Sequence, residues 1–373
     1  MGNRFDSINR ALTSNANTTN TTFSANVAVA GTLAMASSFK RNRIINGNML
    51  IDQRNSGAAV TPTSDPTYTL DRWALTLSQA SKFTIQQNAG AVTPPAGFTK
   101  YLGATVAAAV TVGASDYFAL YQPIEGYNVA DLNYGLASAQ TTTLSFWVRS
   151  SLTGTFGGVV KNSAGTRSYP FTYSVGSANT WTSISVTIPG DTSGTWLTDN
   201  GAGIVVRFGL GAGATFSGTA GAWASANYMN ATGAVSVVGT SGATFYITGV
   251  QLEVGTIATP YEMQIYSDQL AQCQRYYEIN SYMMVTMANG GYGNSYCNPH
   301  SYRVTKRAPP TLTAYSSSNQ TGTSGAASLS SGAVNTVVAV TVFDSNTASG
   351  SFYAVGSSVY TLAQYSYTAS AEL

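Results

Sequence analysis

Apolar and polar positions alternate with a period of two along much of this chain, which is the signature of β-strands with one buried face. In "FSANVAVAGTLAM" the residues Phe23, Ala25, Val27, Val29, Gly31, Leu33 and Met35 fall on every second position. One such strand buries too little surface to offset the entropy of ordering it, so it needs a neighbouring sheet or the same strand from other copies. From residue 41 to about 265 short strand-like runs follow one another between Gly, Pro and Asn clusters: "RNRIINGNMLIDQRN" (Arg41 to Asn55), "TLDRWALTL" (Thr69 to Leu77), "TTTLSFWVRSS" (Thr141 to Ser151), "TWTSISVTI" (Thr180 to Ile188), "GIVVRFGLG" (Gly203 to Gly211) and "TFYITGVQLEVG" (Thr244 to Gly255). No helical period runs through this span. Strands at such spacing without helices between them predict a sandwich of the jelly-roll kind.

The most definite segment is "GVQLEVGTIATPYE", Gly249 to Glu262. Val250, Leu252 and Val254 alternate as a closing strand, Gly255 ends it, and Pro260 stiffens the exit. Next, Leu270, Cys273, Gln274 and Tyr277 recur at helical spacing behind Ser267, an N-cap residue type, which predicts one short helix. Beyond it "SYMMVTMA", "YRVTKRAPPTLTAY", "NTVVAVTVF" and "TLAQYSYTASAEL" read as strands, with Ser316 to Gly332 as a long loop. The expected fold is therefore all-β. An extended amino-terminal arm (residues 1–40) precedes a jelly-roll sandwich (41–265), a short helix marks the junction, and a smaller β-rich domain (266–373) follows.

Composition narrows the function classes. Charged residues make up 9% of the 373, against roughly 25% in ordinary domains. The 17 basic and 15 acidic residues leave a net charge of +2, so there is no footprint for nucleic acid or an anionic membrane. Ser, Thr and Asn with 37 Gly and 23 Tyr replace the missing charge, and this mixture favours strands and turns. Cys273 and Cys297 suit neither a CxxC motif nor a disulfide framework, and read as reduced residues of a protein assembled in a cytoplasm. The amino terminus has no apolar core of signal-peptide type and the chain has no run of 18 apolar residues, so membrane insertion is not expected.

Catalytic constellations are sparse. His300 follows Cys297 by three residues in a turn-like stretch and reads as an ordinary loop residue. A zinc site lacks further His or Cys ligands. Asp116, Glu125, Asp131, Glu253 and Glu262 are the carboxylates that folding could pair for glycan cleavage, but their local contexts are structural. "GLGAGATFSG" (Gly209 to Gly218) lacks the Lys and the following helix of a phosphate cradle, and reads as a turn or strand bulge.

Taken together, "NRIINGNMLIDQRNSG", "YTLDRWAL", "LSFWVRSSLTGTF", "FYITGVQLEVGTIATPYE", "LAQCQRYYE", "RAPPTLTAYSS" and the terminal "YTASAEL", in this order, resemble a set found in bacteriophage tail-fibre and other virion surface proteins. The resemblance covers about residues 42 to 373. It implies a jelly roll similar to carbohydrate-binding modules and a β-rich tip. It also implies a homotrimer docked to other virion proteins through the amino-terminal arm, and attachment to a host-surface glycan or receptor at the virion surface. No enzymatic activity and no cofactor are expected. Related modules commonly carry a structural calcium near an acidic residue where this chain has Asn48, and near Glu253; the missing acid weakens that site. Trp73 and Trp147 fall where the family builds its core. Trp181, Trp196 and Trp223, in polar or glycine-rich surroundings, are the candidate sugar platforms. Tyr292 and Tyr296, in "GGYGNSY", are candidates at the tip. A purely architectural role, as capsid decoration, head fibre or tail adaptor, is the alternative reading.

Overall fold

The computed structural model describes residues 40–289, 294–297, 300–316, 324–330, 335–355 and 362–373. The expected amino-terminal arm lies outside the described residues, apart from Lys40. Residues Lys40–Leu373 form one compact unit. Its first part contains β1 (Thr67–Leu70), β2 (Trp73–Leu77), β3 (Phe83–Gln87), β4 (Leu102–Val106), β5 (Tyr117–Glu125), β6 (Thr142–Ser150), β7 (Gly154–Lys161), β8 (Ser168–Val175), β9 (Thr182–Ile188), β10 (Ala202–Ala212), the two-residue β11 (Ser217–Gly218) and β12 (Asn230–Ala231), and β13 (Thr244–Val254). Two sheets face one another, ordered β1-β2-β5-β10-β7-β8 and β3-β4-β13-β6-β9. Every pairing within them is antiparallel. This is the jelly-roll sandwich that the alternation predicts.

Both inner faces feed one core. Trp73, Leu75, Phe118, Leu120, Phe156 and Phe208 come from the first sheet; Phe83, Leu102, Phe146, Phe245, Val250 and Leu252 come from the second, all essentially inaccessible. Each such side chain stabilises the fold by about 1.5–3 kcal/mol. The Trp73 indole N–H is satisfied by the Asn46 carbonyl at 3.0 Å. In β13, Val250 and Leu252 point inward as expected. The strand is broken by a bulge between Thr248 and Gln251, where Gly249 takes φ 62°. A Cβ there would lie 2.5 Å from the Phe98 ring, so backbone and packing both require glycine.

Several local expectations are corrected. Arg41 to Asn55 forms no strand but an irregular hook of turns. Ile44, Met49 and Ile51 are buried, but the backbone beside them is satisfied largely by side chains. Asn42 Oδ1 accepts from Ile44 N (2.9 Å), Gln122 Oε1 from Ile45 N (2.8 Å) and Asn46 Oδ1 from Ile51 N (2.9 Å). Thr69 to Leu77 is two strands, because Arg72 turns the chain with φ 69° and β1 folds back on β2. Trp147 is not in the core. It alternates with buried Phe146 and Val148 and sits half-buried on the outer face of the second sheet. The helix α1 spans Tyr266–Gln274 with Ile265 at the cap position and no side-chain cap, so Ser267 lies inside the first turn. The stretch from Ser316 to Gly332 contains a strand, Ala326–Ser330.

After α1 come β14 (Tyr277–Asn289), β15 (Asn294–Cys297), β16 (His300–Ser301), β17 (Thr311–Tyr315), β18 (Ala326–Ser330), β19 (Asn335–Ser345), β20 (Ser349–Val355) and β21 (Leu362–Ser370). Pairing runs β14-β15-β20-β19-β18-β21 and then returns from β21 to β14, so the circuit of strands closes. Tyr302, Phe352, Tyr365 and Tyr367 fill its interior around His300. Inside it lies a fully buried ion pair, Lys306 Nζ to Glu278 Oε2 at 2.7 Å, to which Tyr367 adds a hydroxyl donor at 3.0 Å. α1 packs Cys273 and the following Tyr276 against Ile45 and Ile51 of the hook. Burial pushes the Cys273 thiol well above its ordinary range. Among the described residues no helix is long and apolar enough to cross a membrane.

Candidate functional site

A pocket of about 190 Å³ opens at the end of the sandwich where β5 leaves and β10 enters. Two loops build it. The first, residues 126–136, continues the β5–β10 pairing outward: Gly126 N donates to Gly201 O (2.8 Å) and Tyr127 N to Asp199 O (2.9 Å). It then turns back at Asn133, which takes φ 56°, a conformation asparagine tolerates better than most residues. The second loop, 189–201, is anchored by Asp191. Its carboxylate receives a two-pronged contact from Arg167 at 2.7 and 2.8 Å, and its carbonyl accepts from Gly135 N at 2.7 Å. That last bond ties the two loops together.

Val129, Ala130, Leu136, Leu197 and Ile204 supply the apolar lining, Tyr134 and Trp196 the aromatic part, and Asn133 and Thr198 the polar groups. Trp196 meets Tyr134 edge-on at 4.9 Å and Trp223 at 5.4 Å. Trp223 also packs on Tyr134 and Tyr169. Their N–H groups are held by backbone: Trp196 donates to Ser193 O at 3.0 Å and Trp223 to Pro189 O at 2.7 Å. The Tyr134 hydroxyl lies 3.0 Å from that of Thr142, and burial pushes its ionisation up to about 12. At the mouth, Leu136 is 57% and Leu197 38% exposed, and the neighbouring Tyr127 is 64% exposed. Leu136 and Leu197 thus give the pocket mouth an apolar rim.

Of the tryptophans expected as platforms, Trp196 and Trp223 come together here. Trp196 is 9% exposed and forms wall, not a free platform, while Trp223 is half-buried behind it. Trp181 lies elsewhere, half-buried beside the outer face of the second sheet. It packs edge-on against Tyr101 at 5.5 Å with its N–H bound to Thr93 O. Tyr292 and the side chain of Tyr296 lie outside the described residues. Tyr134, Asn133, Leu136, Leu197 and Thr198 are the site residues that pattern reading passes over. The one local signal is Asn133 beside Gly135 in "LNYG", a turn dipeptide pattern.

The five carboxylates considered for catalysis do not converge; each serves a structural contact. Glu125 is bound by Arg275 and Tyr276, and Asp131 by Arg43 at 2.6 Å. Glu262 accepts from Asn42 N, and Asp116 from Ser78, Gln79 and Gly113. Glu253, named above for calcium, accepts from the Thr259 N–H (2.8 Å), the Thr259 hydroxyl (2.6 Å) and Gln251 (2.9 Å). Asn48 accepts from Gln269. Among the described residues no group of three His, Cys, Asp or Glu is placed to hold a metal. His300 is buried among aromatic rings, and the side chain of Cys297 lies outside the described residues.

No protein-family model matches the chain, and no curated protein matches it by sequence. Several solved structures are similar in fold. One is a putative sugar-binding protein from Bacteroides thetaiotaomicron, 13% identical, covering 57% of this chain and 100% of that one at a TM-score of 0.33. Another is the family 11 carbohydrate-binding module of a cellulosomal cellulase from Clostridium thermocellum, at 14% identity, 54% and 99% coverage and a TM-score of 0.26. A third is the enzymatically active domain of tailspike protein 4 from bacteriophage CBA120, at 11% identity and a TM-score of 0.32. That match covers 57% of this chain, which spans 21% of the tailspike structure. At such values these likenesses carry no argument about ligand or activity.

Proposed function

We propose that this chain is a non-enzymatic bacteriophage virion surface protein, a homotrimeric tail fibre or spike component that attaches to the host surface by binding glycan. The pocket lined by Trp196 and Tyr134, with the Asn133 amide and the Thr198 hydroxyl beside it, carries the reading. An aromatic wall with a few convergent polar groups is the chemistry that lines a small sugar pocket and bonds the sugar's hydroxyls. The dispersal of the carboxylates into separate structural contacts supports binding without cleavage. The virion setting rests on the ordered motifs of the sequence. Weak sites repeated on a trimer and over many fibres give avidity far above that of one contact.

The test is adsorption competition. Purified protein should block phage adsorption to host cells, and the rim variant Leu136→Glu should not. Failure of the unaltered protein to compete or to label cells at saturating concentration rejects attachment.

The homotrimer has its own support. Ile257 (76% exposed), Met263 (57%) and Ile265 (71%) lie along the linker between β13 and α1, and Tyr266 (57%) opens α1. This linker is pinned to the start of the compact unit by Arg41 to Thr259 and by Asn42 N to Glu262. In a trimer, another copy of the chain covers these side chains. Solution mass decides this point, since three times the 38.9 kDa chain is expected and a monomer refutes it. Antibody labelling confined to the head shell would leave the architectural role in place of the tail fibre.

A further inference from the structure

We propose that the pocket reads an acetamido group, so that its ligand is an N-acetylated amino sugar at the end of a glycan chain. The proposal rests on the glycan reading above and narrows it. Three observations lead to it.

The first is size. At about 190 Å³ the pocket lies below the roughly 300–1,000 Å³ that enclose drug-sized ligands. It admits a single sugar residue, which favours a terminal one over a run of residues laid across a sheet.

The second is the wall. Val129, Ala130 and Ile204 present aliphatic surface beside the Trp196 ring. A sugar decorated only with hydroxyls would press some of them against groups that cannot bond them, which costs free energy. Methyl-bearing substituents gain from such a surface, the acetyl group of an N-acetylated sugar among them. No charged side chain lines the pocket, and the nearby Asp131 is engaged by Arg43. Neither a free ammonium nor a uronate would find a counter-charge there.

The third is Asn133. Its backbone is fixed in the left-handed turn, and its side-chain amide, at the pocket lining, makes no hydrogen bond with another described residue. A primary amide offers a donor and an acceptor side by side. The acetamido group offers the complementary acceptor and donor on one edge, with its methyl beyond them. Apolar receptor and unengaged amide therefore address the two halves of the same substituent, and Thr198 at the rim remains for a ring hydroxyl.

Isothermal titration of the full chain with N-acetylglucosamine, N-acetylgalactosamine, glucose and glucosamine tests this. At least one N-acetylated sugar should bind about tenfold or more tighter than both sugars lacking the acetyl group, as expected when one buried methyl and one amide pair discriminate. Asn133→Asp keeps a residue type that tolerates the left-handed turn and replaces the donor with a charge. It should remove that preference while the thermal midpoint stays unchanged. Equal binding of glucose, or full retention of the preference in Asn133→Asp, overturns the acetamido assignment. If another glycan binds and Leu136→Glu abolishes it, the attachment reading stands and this inference falls. If no glycan on an array binds, both fall.

Discussion

His300 sits where a charge is least welcome. Its ring lies 4.2 Å from that of Tyr367 and stacks on Phe352 at 5.8 Å and 17°. Tyr302 and Tyr365 meet it edge-on, and among the described residues neither ring nitrogen has a hydrogen-bond partner. Burial lowers its proton affinity from the ordinary 6.5 to about 4, against a smaller opposing pull from the Glu278 carboxylate. The folded state therefore holds the neutral ring and resists protonation more than the unfolded chain does. The resulting stability is complete above pH 6.5 and is lost as pH falls from there through about 4. The gap between those values is worth about 3 kcal/mol. His300→Phe keeps an aromatic ring in the stack and removes the titration. Urea denaturation of both proteins between pH 7.5 and 4.5 should show the difference moving in favour of the variant by about 2–3 kcal/mol. A difference that stays constant across that range would refute the burial argument.

Two further outcomes follow from single residues. Lys161 is 4% exposed, with Asn227 Oδ1 as its side-chain partner. Burial, reinforced by Arg207, pulls its ammonium down to about 7, so its contribution to stability is present above pH 10.5 and is lost as pH falls through 7. Lys161→Met should raise stability at pH 6.5 by roughly 2 kcal/mol and show no gain near pH 10.5; equal curves at both pH values would contradict this. Gly249→Ala, which places a methyl against Phe98 at φ 62°, should cost roughly 1–3 kcal/mol in urea denaturation, and a neutral result would mean the bulge reshapes freely.

The fold was readable where the physics is local. In β6 and β9 the side chains alternate between faces, so the pattern in the sequence is the pattern in space. It was not readable where backbone is satisfied from far away. The hook at Ile44 to Ile51 has strand-like composition, but Gln122 bonds Ile45 from 77 positions on, and this gives the hook its shape. Trp147 misled because a large apolar residue on an alternating strand looks the same whichever face it occupies. Only cross-strand register, here opposite Thr248 and Ser183, places it outward. The pocket was half readable. Trp196 and Trp223 carried a local signal, but the partner loop contributing Asn133 and Leu136 lies about 60 residues earlier and meets them only in the fold, through backbone bonds to Asp191, Asp199 and Gly201 and the packing of Tyr134.

One of the contacts that join the carboxy-terminal sheet to the sandwich is made by a buried carboxylate. Glu125 ends β5 with its side chain 1% exposed. It receives Arg275 at 2.5 and 2.9 Å and the Tyr276 hydroxyl at 2.6 Å, both from the residues joining α1 to β14. Burial alone would raise its proton affinity, but the bonds from Arg275 and Tyr276 outweigh it and hold the carboxyl below its ordinary range. Its share of stability is therefore present above the ordinary carboxylate range and lost as pH falls through the lower folded value. Arg275→Met removes the larger of the two compensations and leaves burial in control, so Glu125 should take up a proton at a higher pH than an ordinary carboxyl. Because the Arg275 side chain is 33% exposed, the cost at pH 7.5 should be about 2 kcal/mol, short of the 3–5 kcal/mol for a wholly buried pair. That cost should shrink toward pH 5 as protonation relieves the stranded charge, and adding Glu125→Gln should recover much of it at pH 7.5. Urea denaturation of the two single variants and the double variant at both pH values measures each quantity. A penalty independent of pH and not relieved by Glu125→Gln would mean that Arg275 stabilises the junction through the packing of its stem instead of through the carboxylate.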